Sequence, residues 1–376
     1  MKIKEWSDKN KFNSFSSWKG LLYAPWYQAI RDWKDGKISA PLAPVEASLD
    51  PIHACNLQCN FCNAASYLDD NLKGRRMTDE HLEDMIRFLG KWGVKGCCFG
   101  GGGEPTMHTG LAKALDIATE CGVESSIATN GTLFTDELIE SMARNCRWVG
   151  VSVDSACPET YKKERKIDKF NTTVGNITKL SAACKAMPES KCDVSFKFLV
   201  FEYNQDEIYD ACKIAKETGC RDFHARPADW SHQGMGGAKK QANPYSVEKV
   251  LEQFEKCHEL EDENFRVFTV VHKFKEDFTP QKDFDQCYAA PCCIQICADG
   301  NIYLCPDQRH QEFYKLGSHE PNPEQIMEFW GGKKHYDLVF NTGKKACNTR
   351  CTFNTYCIQC QKLFIEDNDP MCKNFI

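Results

Sequence analysis

Apolar and polar positions change rhythm repeatedly between residues 45 and 227. VEASLDPIH (45–53) alternates apolar and polar, the period of a half-buried strand. Thr78-Asp79-Glu80 then gives a helix start, and Leu82, Met85, Ile86 and Leu89 follow at helical spacing. The same switch recurs down the chain. It predicts strands at 94–100, 125–130, 148–154, 193–201 and 221–227, with helices at 111–120, 136–144, 172–185 and 206–219. Gly219 closes the last of these helices. Six β/α units imply a parallel sheet with helices outside it. Eight units close a barrel, so six imply an α/β fold of the partial (β/α)6, TIM-like type. Ligands of such folds gather at the C-terminal ends of the strands.

The flanks read differently. Residues 1–45 form an aromatic-rich extension with a short helix at 25–34, expected to cover a hydrophobic edge of the main domain. The barrel takes residues 46–227. A Gly-rich connector with a helix at 246–260 takes 228–286. Residues 287–376 lose periodicity and read as a small cysteine-rich domain held by metal rather than by an apolar core.

Composition narrows the picture. The 376 residues carry a formal charge of −6, with 42% hydrophobic and 27% charged residues, as in a soluble globular protein. Nucleic acid is not an expected partner, although a local basic groove would be compatible. No run of 18 apolar residues exists, so no membrane span is expected. The N-terminal residues lack the apolar stretch of a secretory signal, which points to the cytoplasm. The outlier is cysteine, with 23 residues. An odd count fits a reducing compartment, where thiolates bind metal. Ten of the 23 lie between Cys287 and Cys372, and three cluster at Cys55, Cys59 and Cys62. Cys146, Cys184 and Cys212 read as small core residues.

Cys55-Asn-Leu-Gln-Cys59-Asn-Phe-Cys62 follows the first strand. Three thiolates so close together converge on one centre. A structural zinc site wants four ligands, and His53 could supply the fourth. Three thiolates suffice for a 4Fe–4S cluster with one iron open to a small molecule. After strand two comes Phe99-Gly100-Gly101-Gly102-Gly103-Glu104-Pro105. No Lys-Ser/Thr follows, so this is not a P-loop. Thr129-Asn130-Gly131 and Val151-Ser152-Val153-Asp154 follow strands three and four. Either alone is an ordinary turn or strand end.

Together and in this order, over residues 46–226, these motifs resemble the radical S-adenosylmethionine (SAM) superfamily. The resemblance implies a 4Fe–4S cluster on Cys55, Cys59 and Cys62. It implies that Gly102, Gly103 and Glu104 hold the ammonium of SAM, by backbone approach and a carboxylate. Asn130, Ser152 and Asp154 would contact its ribose and methionine, and the backbone of Phe61 its adenine. Arg165 would reach the methionine carboxylate, or else be a solvated helix charge. The reaction so implied is reductive cleavage of SAM to a 5′-deoxyadenosyl radical that takes hydrogen from an unactivated carbon. The protein orients the reactants and shields the radical.

The C-terminal cysteines resemble the SPASM/twitch extension, which binds auxiliary 4Fe–4S clusters in one branch of the superfamily. The resemblance implies one or two such clusters. Cys287, Cys305, Cys360 and one of Cys292, Cys293 or Cys297, taken as Cys293, would hold the first. Cys347, Cys351, Cys357 and Cys372 would hold the second. The run Cys347-x3-Cys351-x5-Cys357-x2-Cys360 reverses the usual x2, x5, x3 order. Tetrahedral zinc is the alternative. Asp307 corresponds to an acidic residue that takes a proton from the substrate radical; the plainer reading is a turn-capping aspartate. Cys292 and Cys297 are spare thiols that could return a hydrogen atom or simply pack. His224, Arg226 and Asp229 would contact substrate or form ion pairs.

The expected function is therefore a radical SAM oxidoreductase or epimerase. It would dehydrogenate or epimerise a small polar substrate of the sugar or aminocyclitol type. A peptide-modifying maturase or epimerase is the alternative. The 45 residues before the first strand look short for a peptide-binding domain, which favours the small substrate or a leader-free peptide. A reductant such as flavodoxin or ferredoxin is implied. The reading of another class is a non-catalytic zinc-stabilised binding protein, which leaves the glycine loop unexplained.

Overall fold

The computed structural model describes residues 22–62, 64, 71–228, 245–271, 282, 284–347, 351 and 353–362. Asp229, Cys372 and the aromatics Trp6, Phe12, Phe15 and Trp18 lie outside them. Strand β1 (Glu46–Asp50) buries Ala47 and Leu49 completely, as its alternation requires. Helix α1 (Ala24–Lys34) precedes it, and α2 (Asp79–Trp92) follows. Thr78 starts α2 by accepting a bond from the His81 amide, and Gly93 ends it at φ 106°, a conformation glycine adopts without a steric penalty. Between them α2 turns Leu82, Met85, Ile86, Phe88 and Leu89 onto the sheet.

The pattern repeats through β2 (Gly96–Phe99), α3 (Leu111–Glu120), β3 (Glu124–Thr129), α4 (Asp136–Asn145) and β4 (Cys146–Ser152). It continues through α5 (Pro158–Arg165), α6 (Phe170–Ala186), β5 (Asp193–Val200), α7 (Ile208–Glu217) and β6 (Asp222–Pro227). Neighbouring strands pair in parallel, in the order β1-β2-β3-β4-β5-β6. This is the partial barrel expected from periodicity.

The parallel sheet is nevertheless larger than six strands. After α8 (Val247–Glu259), β7 (Arg266–Thr269) adds in parallel to β6. At the other edge β8 (Cys293–Cys297) pairs in parallel with β1. Two antiparallel strands, β9 (Asn301–Tyr303) and β10 (Lys315–Ser318), extend the sheet beyond β8. All five residues of β8 are buried, so CIQIC has no alternation to read. The cysteine-rich segment is thus fused to the barrel sheet. Ile294, Ile296, Ile302, Leu304 and Leu316 join the same apolar core as Leu49, Phe99 and Ile127. The expectation that metal replaces a core there is corrected by this packing.

Helix α1 packs on that segment. Tyr27 Oη lies 2.7 Å from Tyr356 Oη, and Trp33 meets His335, Tyr336 and Phe340 ring to ring. Among the described residues, no helix is long and apolar enough to cross a membrane.

Candidate active site

The strand ends place the motifs side by side. The loop after β1 carries Cys55, Cys59 and Cys62, all partly buried. Against it lies the glycine run after β2. A methyl group on Gly103 would sit 2.4 Å from the Ile52 carbonyl and 2.5 Å from that of Ala54. Only glycine permits this approach of backbone to backbone. The Glu104 amide then donates to the Ala54 carbonyl at 2.8 Å, which locks the two loops together.

The Glu104 side chain is buried and heavily bonded. Its Oε1 accepts from Thr106 N (3.1 Å), Thr106 Oγ1 (2.6 Å) and Thr129 Oγ1 (2.6 Å). Its Oε2 accepts from Asn130 N at 2.7 Å. Burial pushes its carboxyl above the usual range, and these bonds oppose the shift. Glu104 therefore ties the glycine loop to the end of β3. Asn130 Nδ2 reaches Asn56 Oδ1 at 2.8 Å and Cys55 Sγ at 3.8 Å, linking β3 to the thiol loop.

A buried ion pair closes the far side. Arg165 donates to Asp154 Oδ2 at 2.5 Å, with both side chains at most 3% exposed. The solvated-charge reading of Arg165 is thereby excluded. Its other nitrogen lies 3.5 Å from Cys59 Sγ. Asp154 has φ 61° and also accepts from the Leu199 amide at 2.7 Å. Burial raises the Cys59 thiol to about 11, and the Arg165 charge acts against that rise. The Phe61 ring rests 4.8 Å from that of Phe201, with the Arg165 guanidinium 5.7 Å from its centre. Ser152 ends β4 beside Lys197 of β5. Lys197 Nζ in turn lies 2.9 Å from His224 Nδ1 of β6. Arg226 lies on the same strand.

The C-terminal cysteines group otherwise than their spacing implies. Cys287, Cys305, Cys347, Cys351 and Cys357 line one cavity, together with Asp307, Lys282 and Lys344. Donors are aimed at its sulfurs: the Ala289 amide at Cys357 Sγ (3.3 Å) and Gln308 Nε2 at Cys347 Sγ (3.0 Å). The Cys287 thiol is lowered by its bond with Cys357 and, after the opposing effect of burial, by the two lysines. Cys293 and Cys360 are not in the lining. Cys293 is buried under β8 with its Sγ on the Ala290 carbonyl at 3.8 Å. Burial raises the Cys360 thiol, which lies near Cys292. Five of the expected ligands thus line one cavity, with Cys293 close enough to Cys287 and Cys305 to interact with both thiols. Helix α9 (Asn354–Cys360) presents Cys357 to the cavity and Cys360 elsewhere. Asp307 belongs to the wall of this cavity.

Sequence reasoning missed Thr129 as a partner of Glu104, and Thr132, whose Oγ1 accepts from Asn56 Nδ2 at 2.7 Å. Their polarity after a strand was visible, but not their partners. It also offered His53 to the three thiols. The His53 ring instead lies against that of His310, 4.7 Å between centres.

Residues 49–189, which hold the thiol loop, the glycine loop and Arg165, match the model of the Radical SAM superfamily. Those residues form a radical SAM domain. Its family's cofactors are a 4Fe–4S cluster and SAM. Over 224 residues the chain is 26% identical to the AdoMet-dependent heme synthase of Methanosarcina barkeri, covering 59% of this chain and 60% of that protein. It is 26% identical over 346 residues to the antilisterial bacteriocin subtilosin biosynthesis protein AlbA of Bacillus subtilis, covering 88% and 70%. Its fold is similar to that of Streptococcus suis SuiB bound to S-adenosylmethionine. The TM-score is 0.63 at 16% identity, over 96% of this chain and 84% of that one.

Proposed function

We propose that this enzyme binds SAM across the barrel mouth and uses it to abstract hydrogen from a carbon of a peptide substrate. When bound, the reduced cluster would supply one electron, and SAM, on accepting it and losing methionine, would supply the 5′-deoxyadenosyl radical that takes the hydrogen. The observation that carries the reading is the three-thiol loop locked against Gly103 and Glu104. Cys55, Cys59 and Cys62 would hold the cluster, which suits a donor set of three thiolates. The approach that a Gly103 methyl would block leaves backbone, not side chain, to face SAM. Glu104 Oε2 carries one bond and keeps a lone pair for an ammonium. Arg165, neutralised by Asp154, offsets negative charge at Cys59. Asn130, Ser152, Asp154 and the Phe61 backbone would line the rest of the SAM site.

The five-thiol cavity would hold at least one auxiliary 4Fe–4S cluster, whose chemistry is to accept or relay an electron. Its two lysines suit the negative charge of such a group. Asp307, in its wall, would take the proton released on net oxidation. A peptide substrate is supported by the breadth of the match to AlbA, a bacteriocin biosynthesis protein. The second reading, a small polar substrate, is supported by the match to a probable GTP 3′,8-cyclase of Saccharolobus solfataricus, 22% identical over 72% of this chain. A reductant of the flavodoxin or ferredoxin type and a cytoplasmic location complete the proposal.

The test is SAM cleavage by anaerobically purified, reconstituted enzyme with dithionite. 5′-Deoxyadenosine should form, and deuterium from a labelled substrate should enter it. Deuterium transfer from labelled peptides and not from sugars or nucleotides supports the peptide reading; the reverse supports the small substrate. No cleavage with a full iron load in either pool defeats the proposal. A second expectation concerns Gly103. Gly103→Ala should weaken SAM binding at least about tenfold, roughly 1.4 kcal/mol, in equilibrium dialysis. Gly175→Ala, where a methyl meets nothing within 4 Å, should leave it unchanged.

A further inference from the structure

A second group of ligand-type side chains lies at the same end of the sheet, outside both thiol sets. Asp50 ends β1, His53 follows it, Cys297 ends β8, and His310 follows β9. One ligand atom from each lies within 4.8 Å of the other three. Asp50, His53 and Cys297 are fully buried, and His310 is nearly so. We propose that these four residues form a structural zinc site that pins the C-terminal region to the barrel.

The donor set is the first argument. One thiolate, two imidazoles and one carboxylate match the borderline character of zinc, and four protein ligands make a closed site. Tetrahedral zinc with its usual bond lengths separates ligand atoms by about 3.3–3.6 Å. Side-chain rotations closing about 1 Å would complete the shell from the present positions.

The surroundings are the second argument. A metal-bound histidine usually gives its other nitrogen to a carboxylate. His310 Nδ1 lies 3.1 Å from Asp299 Oδ2, which also accepts from Tyr303 Oη at 2.7 Å. Nε2 of His310, itself buried, would be the ligand atom. Cys297 Sγ accepts from Gln295 Nε2 at 3.3 Å, a bond that favours its thiolate. Asp50 and the Cys297 thiolate would supply the two negative charges a divalent ion needs, and Arg309, whose Nε is 3.6 Å from Asp50 Oδ2, adds a positive charge beside the site.

The placement gives the role. β1 and β8 pair in parallel and put Asp50 opposite Cys297. The ion would clamp this pair to the turn at His310, where the backbone holds φ 60°. It would do so beside the glycine loop, since a methyl on Gly102 would meet Asp50 and one on Gly101 would meet Arg309. The site does not depend on SAM chemistry.

The test uses the full chain, produced with added zinc and purified anaerobically with its iron. Metal analysis should give about one zinc per chain. X-ray absorption at the zinc edge should show one sulfur and three nitrogen or oxygen neighbours. Cys297→Ala and His310→Ala should remove the zinc and leave the iron content unchanged. Asp299→Asn keeps all four ligands and guards against misfolding of the other variants. It should weaken zinc about 10–100-fold in chelator competition. Absence of zinc, a shell of four sulfurs, or zinc retained fully by Cys297→Ala and His310→Ala would each overturn the proposal.

Discussion

Cys59→Ala abolishes 5′-deoxyadenosine formation and removes about four irons per chain, while iron in the C-terminal cavity stays. The expectation follows from counting donors. The barrel loop offers three thiols, the minimum that holds four irons and leaves one open. With Cys59 gone, two remain. The substitution itself is mild for the fold. Arg165 loses a sulfur at 3.5 Å but keeps Asp154 at 2.5 Å, so its buried charge stays compensated. Arg165→Ala would differ, because it leaves the buried Asp154 charge with the Leu199 amide but without its ion-pair partner, and should cost about 3–5 kcal/mol. Iron analysis, 5′-deoxyadenosine by mass spectrometry and a thermal melt separate the two effects. Cys121→Ala, at the end of α3 and outside both thiol sets, should leave all three unchanged. Undiminished cleavage by Cys59→Ala would falsify the assignment of the loop.

What could be read from the sequence follows from how local each signal is. Helices α2 and α4 carry their caps, Thr78 and Thr135, and their apolar faces within one segment, so periodicity alone reveals them. The thiol loop and the glycine run are also local, and each follows a recognisable strand. Their contact is not local, yet the strand order implies it, because neighbouring parallel strands end side by side. β7 and β8 escape for a different reason. RVFT is too short to show a period, and CIQIC is buried on both faces. With β8 hidden, its alignment with β1 was hidden too, and so was the meeting of Asp50 with Cys297. Arg165 shows the limit of charge as a guide. YKKERK reads as a solvated helix end, and only the tertiary structure buries one of its charges against Asp154.

The thiol cavity yields the second large effect, because spacing and structure predict different outcomes there. The triple variant Cys287→Ala, Cys305→Ala, Cys357→Ala leaves two of the five lining thiols, too few for a cluster. It should lose about four irons and keep the barrel cluster, so SAM is still cleaved in the absence of product formation. The double variant Cys293→Ala, Cys360→Ala is the decisive contrast. Spacing puts both residues in one ligand set with Cys287 and Cys305, and by that account the double variant loses a cluster. Neither lines the cavity, although Cys293 lies near Cys287 and Cys305, and the lining by itself predicts full iron. The physical reason lies in helix α9. Residues three apart are about 60° apart around a helix, enough for Cys357 to face the cavity while Cys360 is buried near Cys292. Iron and sulfide analysis of the two variants, with a thermal melt as control, decides between the accounts. Loss of about four irons from the Cys293, Cys360 variant with the melt intact would restore the spacing-based set. Retention would establish that helix geometry, not cysteine spacing, selects the ligands.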